Sequence, residues 1–253
     1  MHAGEVDVTW RAEHVLEIDG VDFVARGAAD RFTSAPDRFC LVKRPDLAAK
    51  YLDLLAELRP ATIVELGVYQ GGSCALMALA ANPEVLVSVE LSGERVPALD
   101  TLIAQRGLGD RVHVHHGIDQ ADGPALAGLV DDHLAGRPLD LVVDDASHLV
   151  GPTRASFNIL LPRLRPGGVY VIEDWSWAHI GYGAHRPAET PLTVLVFELT
   201  MALPSRPGLI AELRVDRDWA MVVRGDAEVD PTDFDVSACY SPRGRALLAE
   251  EVR

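Results

Sequence analysis

TIVELGVYQGGSCALMALAA, residues 62–81, reads as an apolar strand, a glycine-rich turn and a helix, in that order. The same alternation recurs downstream. VLVSVE (85–90), RVHVHHG (111–117), LDLVVDD (139–145) and GGVYVIED (167–174) are strand-like, and stretches such as SFNILLPRL (156–164) between them are helix-like. Near-continuous apolar strands joined by helices imply a parallel sheet covered on both faces. After the Gly/Pro-rich loop GYGAHRPAETP (181–191) comes one more helix. GLIAELRVD (208–216) and WAMVVRG (219–225) then flank Arg217-Asp218, which predicts an antiparallel hairpin closing the sheet. Upstream, HVLEIDGVDFVA (14–25) reads as two short strands around an Asp19-Gly20 turn, and RPDLAAKYLDLLAEL (44–58) as an amphipathic helix ending at Pro60. The expectation is an α/β fold with a seven-stranded, mostly parallel sheet.

The chain has 253 residues, 48% hydrophobic and 24% charged, enough for one large core with small additions. We divide it into an N-terminal extension with a short β-hairpin (1–40), a central α/β domain (41–225) and a polar C-terminal tail (226–253) with a short helix at RALLAEEV (245–252). No apolar stretch reaches the length of a membrane span, and MHAGEVDVTWRAEH lacks a basic region followed by an apolar one. Cys40, Cys74 and Cys239 stand far apart, which argues against a disulfide framework or a zinc knuckle. These features predict a soluble, cytoplasmic protein without a membrane partner. A formal charge of −15 repels phosphate backbones, and no Lys/Arg cluster offers a local exception, so no nucleic acid is expected as partner. A homo-oligomer, a dimer first, is the expected assembly.

In an open parallel sheet, ligands collect outside the carboxyl ends of the strands. The first strand ends in ELGVYQGGS, Glu65 to Ser73, and the position two after Gly67 is Tyr69. The turn therefore lacks the glycine that lets backbone approach a pyrophosphate, and a ligand without one is favoured. Glu90 ends the second strand near the spacing at which an acid accepts hydrogen bonds from ribose hydroxyls. Together they suggest an adenosine-type ligand. The alternative is a packing turn followed by an acid that merely precedes a helix capped by Ser92.

Gly67, Gly71 and Gly72 in the pattern ELGxxxGGS, the acid ending the second strand and the terminal hairpin resemble a class I S-adenosylmethionine-dependent methyltransferase, over roughly residues 40–225. The resemblance implies a Rossmann-like sandwich with S-adenosyl-L-methionine as cofactor, held by Glu65, Gly67, Tyr69, Gly71, Ser73 and Glu90, with Asp119, Gln120 and Asp144 as further contacts. Within that superfamily, VVDDASH (142–148) followed by RPGGVYVIED (165–174) is similar to the metal-dependent sugar O-methyltransferases of the macrocin and mycinamicin type. Carried over residue by residue, that likeness makes Asp145, Glu173 and Asp174 metal ligands and His148 the base. Ala146 departs from the glycine frequent in that family and leaves the ligands in place.

Residue chemistry points the same way. Asp145 ends the fourth strand and Glu173 and Asp174 the fifth, so three carboxylates meet at one sheet edge and repel unless a cation lies among them. Oxygen ligands suit Mg2+ or Mn2+ rather than zinc. The alternative is that these acids, with Ser147, cap the helices that follow. A metal that lowers a hydroxyl's pKa and a base that takes its proton form a coherent pair for methyl transfer to oxygen. Catechol-type methyltransferases, which the chain resembles only in general architecture, place a lysine where His148 stands. His113, His115 and His116 have no carboxylate partner in sequence.

Trp175, Trp177 and Tyr182 crowd the exit of the fifth strand, where aromatic faces can stack on a pyranose or serve as loop packing; Tyr69 and His179 are further candidates for pocket lining. The reading is a divalent-metal-dependent O-methyltransferase acting on a sugar hydroxyl of a small-molecule glycoside or an oligosaccharide. A phenol or catechol O-methyltransferase, a metal-dependent hydrolase and a non-catalytic binding protein remain as alternatives.

Overall fold

The apolar runs are strands because they are buried on both faces: every residue of β5 (Thr62–Leu66) is buried, as are the first five of β6 (Val85–Glu90) and all of β8 (Leu139–Asp144). The chain is described by a computed structural model over residues 8–27, 30–180, 190–241 and 243–245. The start of the MHAGEV segment, Tyr182, most of the GYGAHRPAETP loop and the expected helix beyond residue 245 lie outside the described residues.

Seven strands are ordered β10–β11–β9–β8–β5–β6–β7 in one sheet, and a separate sheet holds four N-terminal strands. The chain divides into two compact units, residues 1–117 and 118–253.

In the first unit, β1 (Val8–Ala12), β2 (Val15–Ile18), β3 (Val21–Ala25) and β4 (Arg38–Leu41) form the small sheet in that order. The expected hairpin is β2–β3, with Ile18 paired to Val21 and positive φ at Asp19 (49°) and Gly20 (78°). Two positive-φ residues in a two-residue loop match the twist of the flanking strands. The structure adds β1 and β4 to it. All five β1 residues are exposed, so no buried alternation marks that strand. Helix α1 (Pro45–Leu58) starts on a proline in its first turn and buries Leu47, Ala48, Tyr51 and Leu55 along one stripe. β5 leads through the glycine turn into α2 (Gly72–Ala80); β6, α3 (Pro97–Gln105) and β7 (Val112–His116) follow. The pairings β5–β6 and β6–β7 are parallel.

In the second unit, Asp122 caps α4 (Gly123–Leu134) by accepting the Ala125 N–H. β8 then leads to α5 (Val150–Leu160) and β9 (Leu164–Glu173), which pairs with β8 in parallel. The SFNILLPRL stretch is helical only to Leu160; Pro162 cannot continue the α-helical ladder, and Leu161–Arg163 tighten into a 3-10 turn. After α6 (Thr193–Ser205), β10 (Ile210–Val215) and β11 (Trp219–Arg224) form the expected antiparallel hairpin, with β11 antiparallel to β9. Asp216 Oδ1 closes its turn by accepting the Asp218 and Trp219 N–H groups. Among the described residues no helix is long and apolar enough to cross a membrane.

Gly72 is required by close approach: a Cβ there would stand 2.3 Å from the Cys40 carbonyl oxygen in β4. Gly72→Ala should therefore destabilise the fold by about 1–3 kcal/mol in denaturant unfolding, the usual effect of overpacking. Gly128→Ala, at an exposed α4 position with nothing within 4 Å of the added carbon, should instead stabilise it by about 0.5–1 kcal/mol.

Candidate active site

The glycine turn after β5 is shaped by positive φ at Gly67 (92°) and Gly71 (77°) and, without a glycine's freedom, at Tyr69 (49°). The Glu90 carboxylate at the end of β6 holds it. Its Oε2 accepts the Val68 and Tyr69 N–H groups, each at 2.9 Å, and its Oε1 accepts the Ser92 N–H at 2.9 Å. Burial raises the Glu90 pKa, but the Ser92, Tyr69 and Val68 N–H groups outweigh it, and the carboxyl lies below its ordinary value. A carboxylate has about four lone-pair sites, so the acid expected to meet ribose hydroxyls retains acceptor capacity.

Ser73 lies in the first turn of α2 and is partly exposed. Glu65 is buried, and its Oε2 accepts the Ser88 hydroxyl at 2.6 Å. His116, passed over in sequence for lack of a carboxylate partner, is in register with Glu90 across β6–β7 and favours the Glu90 charge. Its Nδ1 is buried without a hydrogen-bond partner among the described residues. A neighbour supplied by strand register has no signature along the chain.

In the second unit, ligand atoms of Asp145, His148 and Asp174 all lie within 4.8 Å of one another, and all three residues are partly exposed. His148 Nε2 stands 4.0 Å from Asp145 Oδ1. Both His148 and Asp174 have φ of 55°, in the left-handed region. Asp174 is fixed by its N–H, which donates to the Asp218 carbonyl at 2.9 Å, and by its own carbonyl, which accepts the Trp177 N–H. Glu173, expected as the third carboxylate, is outside this trio: it is the buried last residue of β9, paired with Trp219.

Below the trio lies a buried polar cluster. Asp144, only 3% exposed, accepts hydrogen bonds from the Ser156 hydroxyl (2.9 Å), the Tyr170 hydroxyl (3.0 Å) and Gln120 Nε2 (3.1 Å). Gln120 Oε1 accepts the Ser147 N–H at 3.0 Å. Expected as cofactor contacts, Gln120 and Asp144 meet each other and anchor the loop between Asp145 and His148. Burial pushes the Asp144 pKa up to about 6 against the pull of Ser156, Tyr170 and Gln120. Asp119 is exposed, and its Oδ1 accepts the Ala121 N–H.

Of the aromatic residues after β9, Trp177 lies beside His148, with ring centroids 6.0 Å apart. Trp175 Nε1 donates to the Asp216 carbonyl and Ser176 Oγ to the Arg217 carbonyl, each at 2.7 Å, which pins this loop to the β10–β11 turn. His179 is exposed and bonds Thr193 Oγ1.

A mostly parallel seven-stranded sheet with an antiparallel terminal hairpin, a glycine turn held by the next strand's acid, and acids after β8 and β9 define a Rossmann-like class I methyltransferase fold. Residues 64–175 match the profile of a family described as a methyltransferase domain. A stretch of 133 residues is 33% identical to 8-demethyl-8-(2-methoxy-alpha-L-rhamnosyl)-tetracenomycin-C 3'-O-methyltransferase of Streptomyces olivaceus, covering 46% of this chain and 33% of that protein. A stretch of 79 residues is 47% identical to demethylmacrocin O-methyltransferase of Streptomyces fradiae, covering 30% of this chain and 19% of that one. The matched stretches thus span a third or less of these relatives' length. Among solved structures, the MycE methyltransferase of the mycinamycin biosynthetic pathway, in complex with Mg, SAH and mycinamycin VI, is 25% identical with a TM-score of 0.52, over 74% of this chain and 51% of that one.

Because Asp144 holds a proton more tightly when folded, its ionisation should withdraw about 3 kcal/mol of stability as pH rises from about 4 to about 6. In urea unfolding of metal-free protein over that range, Asp144→Asn should flatten the fall relative to the parent. An unchanged slope would mean that Asp144 ionises as freely as in the unfolded chain.

Proposed function

We propose that this protein transfers a methyl group from S-adenosyl-L-methionine to a sugar hydroxyl with the help of a divalent cation, and that residues 41–225 carry the chemistry. The observation that carries this reading is the trio of Asp145, His148 and Asp174 at the ends of the parallel strands β8 and β9. Two carboxylates in reach of one another, with Glu173 the adjoining acid, fit a hard dication such as Mg2+ or Mn2+, and the imidazole beside them is placed to act as base. Such an ion supplies positive charge that makes the acceptor hydroxyl more acidic.

The remaining work falls to the chain's own groups. Glu90 accepts hydrogen bonds from the ribose hydroxyls of the cofactor, whose nucleoside end lies along Gly67, Tyr69, Gly71 and Ser73. Asp145 and Asp174 hold the cation, and His148 takes the proton from the acceptor oxygen. As the new O–CH3 bond forms, the S–CH3 bond breaks and the sulfonium leaves as the neutral thioether S-adenosylhomocysteine. Gln120 holds the Ser147 N–H and so fixes the backbone that presents His148.

A sugar is favoured over a phenol on two grounds. The Streptomyces olivaceus relative is named for a rhamnosyl compound, and Trp177 sets an aromatic face beside His148 where a pyranose can stack. The acceptor is a small-molecule glycoside or an oligosaccharide. A cytoplasmic setting accords with three free, buried cysteines, and we place the protein there as a homo-oligomer, a dimer first.

Activity on a panel of glycosides should vanish on chelation and return with Mg2+, while cofactor binding by calorimetry survives. Turnover indifferent to chelator after dialysis would make Asp145 and Asp174 structural acids, and methylation of phenols alone would move the acceptor class. His148→Ala should lower kcat by about 10^2- to 10^4-fold with cofactor affinity unchanged. Glu90→Ala should weaken S-adenosylhomocysteine binding by about 10- to 100-fold.

A further inference from the structure

The connection between β3 and β4 is fastened to the glycine turn. The Arg31 guanidinium lies over the Tyr69 ring, 5.2 Å from its centroid. The Ser34 N–H donates to Gln70 Oε1 at 3.1 Å. The Ser34 hydroxyl in turn accepts the Cys40 N–H at 3.0 Å, and the Cys40 carbonyl is the group that presses on Gly72. Arg31 and Ser34 of the connection thus touch residues 69 and 70 of the turn, and β4 backs Gly72.

Arg31, like Arg38 over the Phe32 ring, lies on an aromatic face. Arg11, Arg44, Arg95, Arg106, Arg154, Arg163, Arg165 and Arg214 each grip a carboxylate. Among the described residues Arg31 makes no ion pair, in a chain whose net charge is −15. An exposed guanidinium in so acidic a protein has carboxylates in excess to choose from, yet this one is kept on an aromatic face, a placement that orients its N–H fork without consuming it.

Tyr69 links Glu90 to Arg31. Its N–H is bound by Glu90, the acceptor for ribose hydroxyls, and its ring carries Arg31. Next to the ribose, S-adenosylmethionine continues into a methionyl chain that ends in an α-carboxylate. We propose that Arg31 binds that carboxylate, so that the β3–β4 connection supplies the amino-acid end of the cofactor site. The inference rests on the methyltransferase reading above and adds to it a residue outside the glycine turn.

Two ligands separate the inference from the reading beneath it. S-adenosylhomocysteine has the carboxylate; 5′-methylthioadenosine keeps the nucleoside and sulfur and lacks the amino-acid end. In calorimetry on the full chain, Arg31→Gln should weaken S-adenosylhomocysteine by about 10-fold or more, the loss of a charge-assisted hydrogen bond, and leave 5′-methylthioadenosine within twofold. Arg31→Lys should recover part of the loss, and Gln70→Ala, which releases the Ser34 N–H, should show the same ligand selectivity. Equal weakening of both ligands, or none of either, would overturn the role of Arg31 while sparing the cofactor assignment. A parent protein that binds neither ligand would overturn both.

Discussion

Burial of the Asp144 carboxylate is the constraint around which the second unit's chemistry is arranged. A carboxylate out of water needs donors, and Asp144 draws them from three directions: Gln120 after β7, Ser156 on α5 and Tyr170 on β9. Gathering those donors fixes more than the charge. Gln120 has a second end, and its carbonyl takes the Ser147 N–H, so the strand-end loop bearing Asp145 and His148 is held by an amide committed on both sides. The next residue along β8 from the buried acid is thereby presented outward. One acid organises the interior, and its neighbour is left partly exposed beside His148 and Asp174.

The first unit solves the matching problem with backbone. There the carboxylate of Glu90 collects N–H groups from Val68, Tyr69 and Ser92, so the turn after β5 and the turn after β6 are tied to one side chain. Such an acid stays ionised, because what surrounds it prefers the charge. Asp144 and Glu90 therefore stand at opposite poles. One is pushed toward its protonated form by burial and the other toward its charged form by donors.

Much of this was legible in the sequence, for identifiable reasons. Buried strands read as unbroken apolar runs, the Asp19-Gly20 pair announces its own turn, and the acids at 145 and 174 follow directly from where two strands stop. What escaped depends on tertiary proximity. The Glu90–His116 pairing needs the register of two strands. The Gln120–Asp144 contact spans residues 24 apart, and no local pattern marks it. The separation of Glu173 from Asp174 comes from a left-handed residue, which two adjacent acids in a sequence do not disclose. β1 carries no buried face and β4 is four residues long, so neither offered a pattern.

Among the described residues, seven that are not glycine adopt positive φ. Four are explained by local architecture: Asp19 makes a hairpin turn, Arg59 and Ala135 end helices, and Asn82 directly follows the end of another. The other three are Tyr69, His148 and Asp174, one in the glycine turn and two in the acidic trio. At each, glycine would relieve roughly 1–2 kcal/mol of backbone strain. Selection for heat tolerance alone would thus favour glycine at these three places and strip out an aromatic ring, an imidazole and a carboxylate. Retention of those side chains against that gradient is what a working enzyme would display, and durability and turnover draw on the same residues.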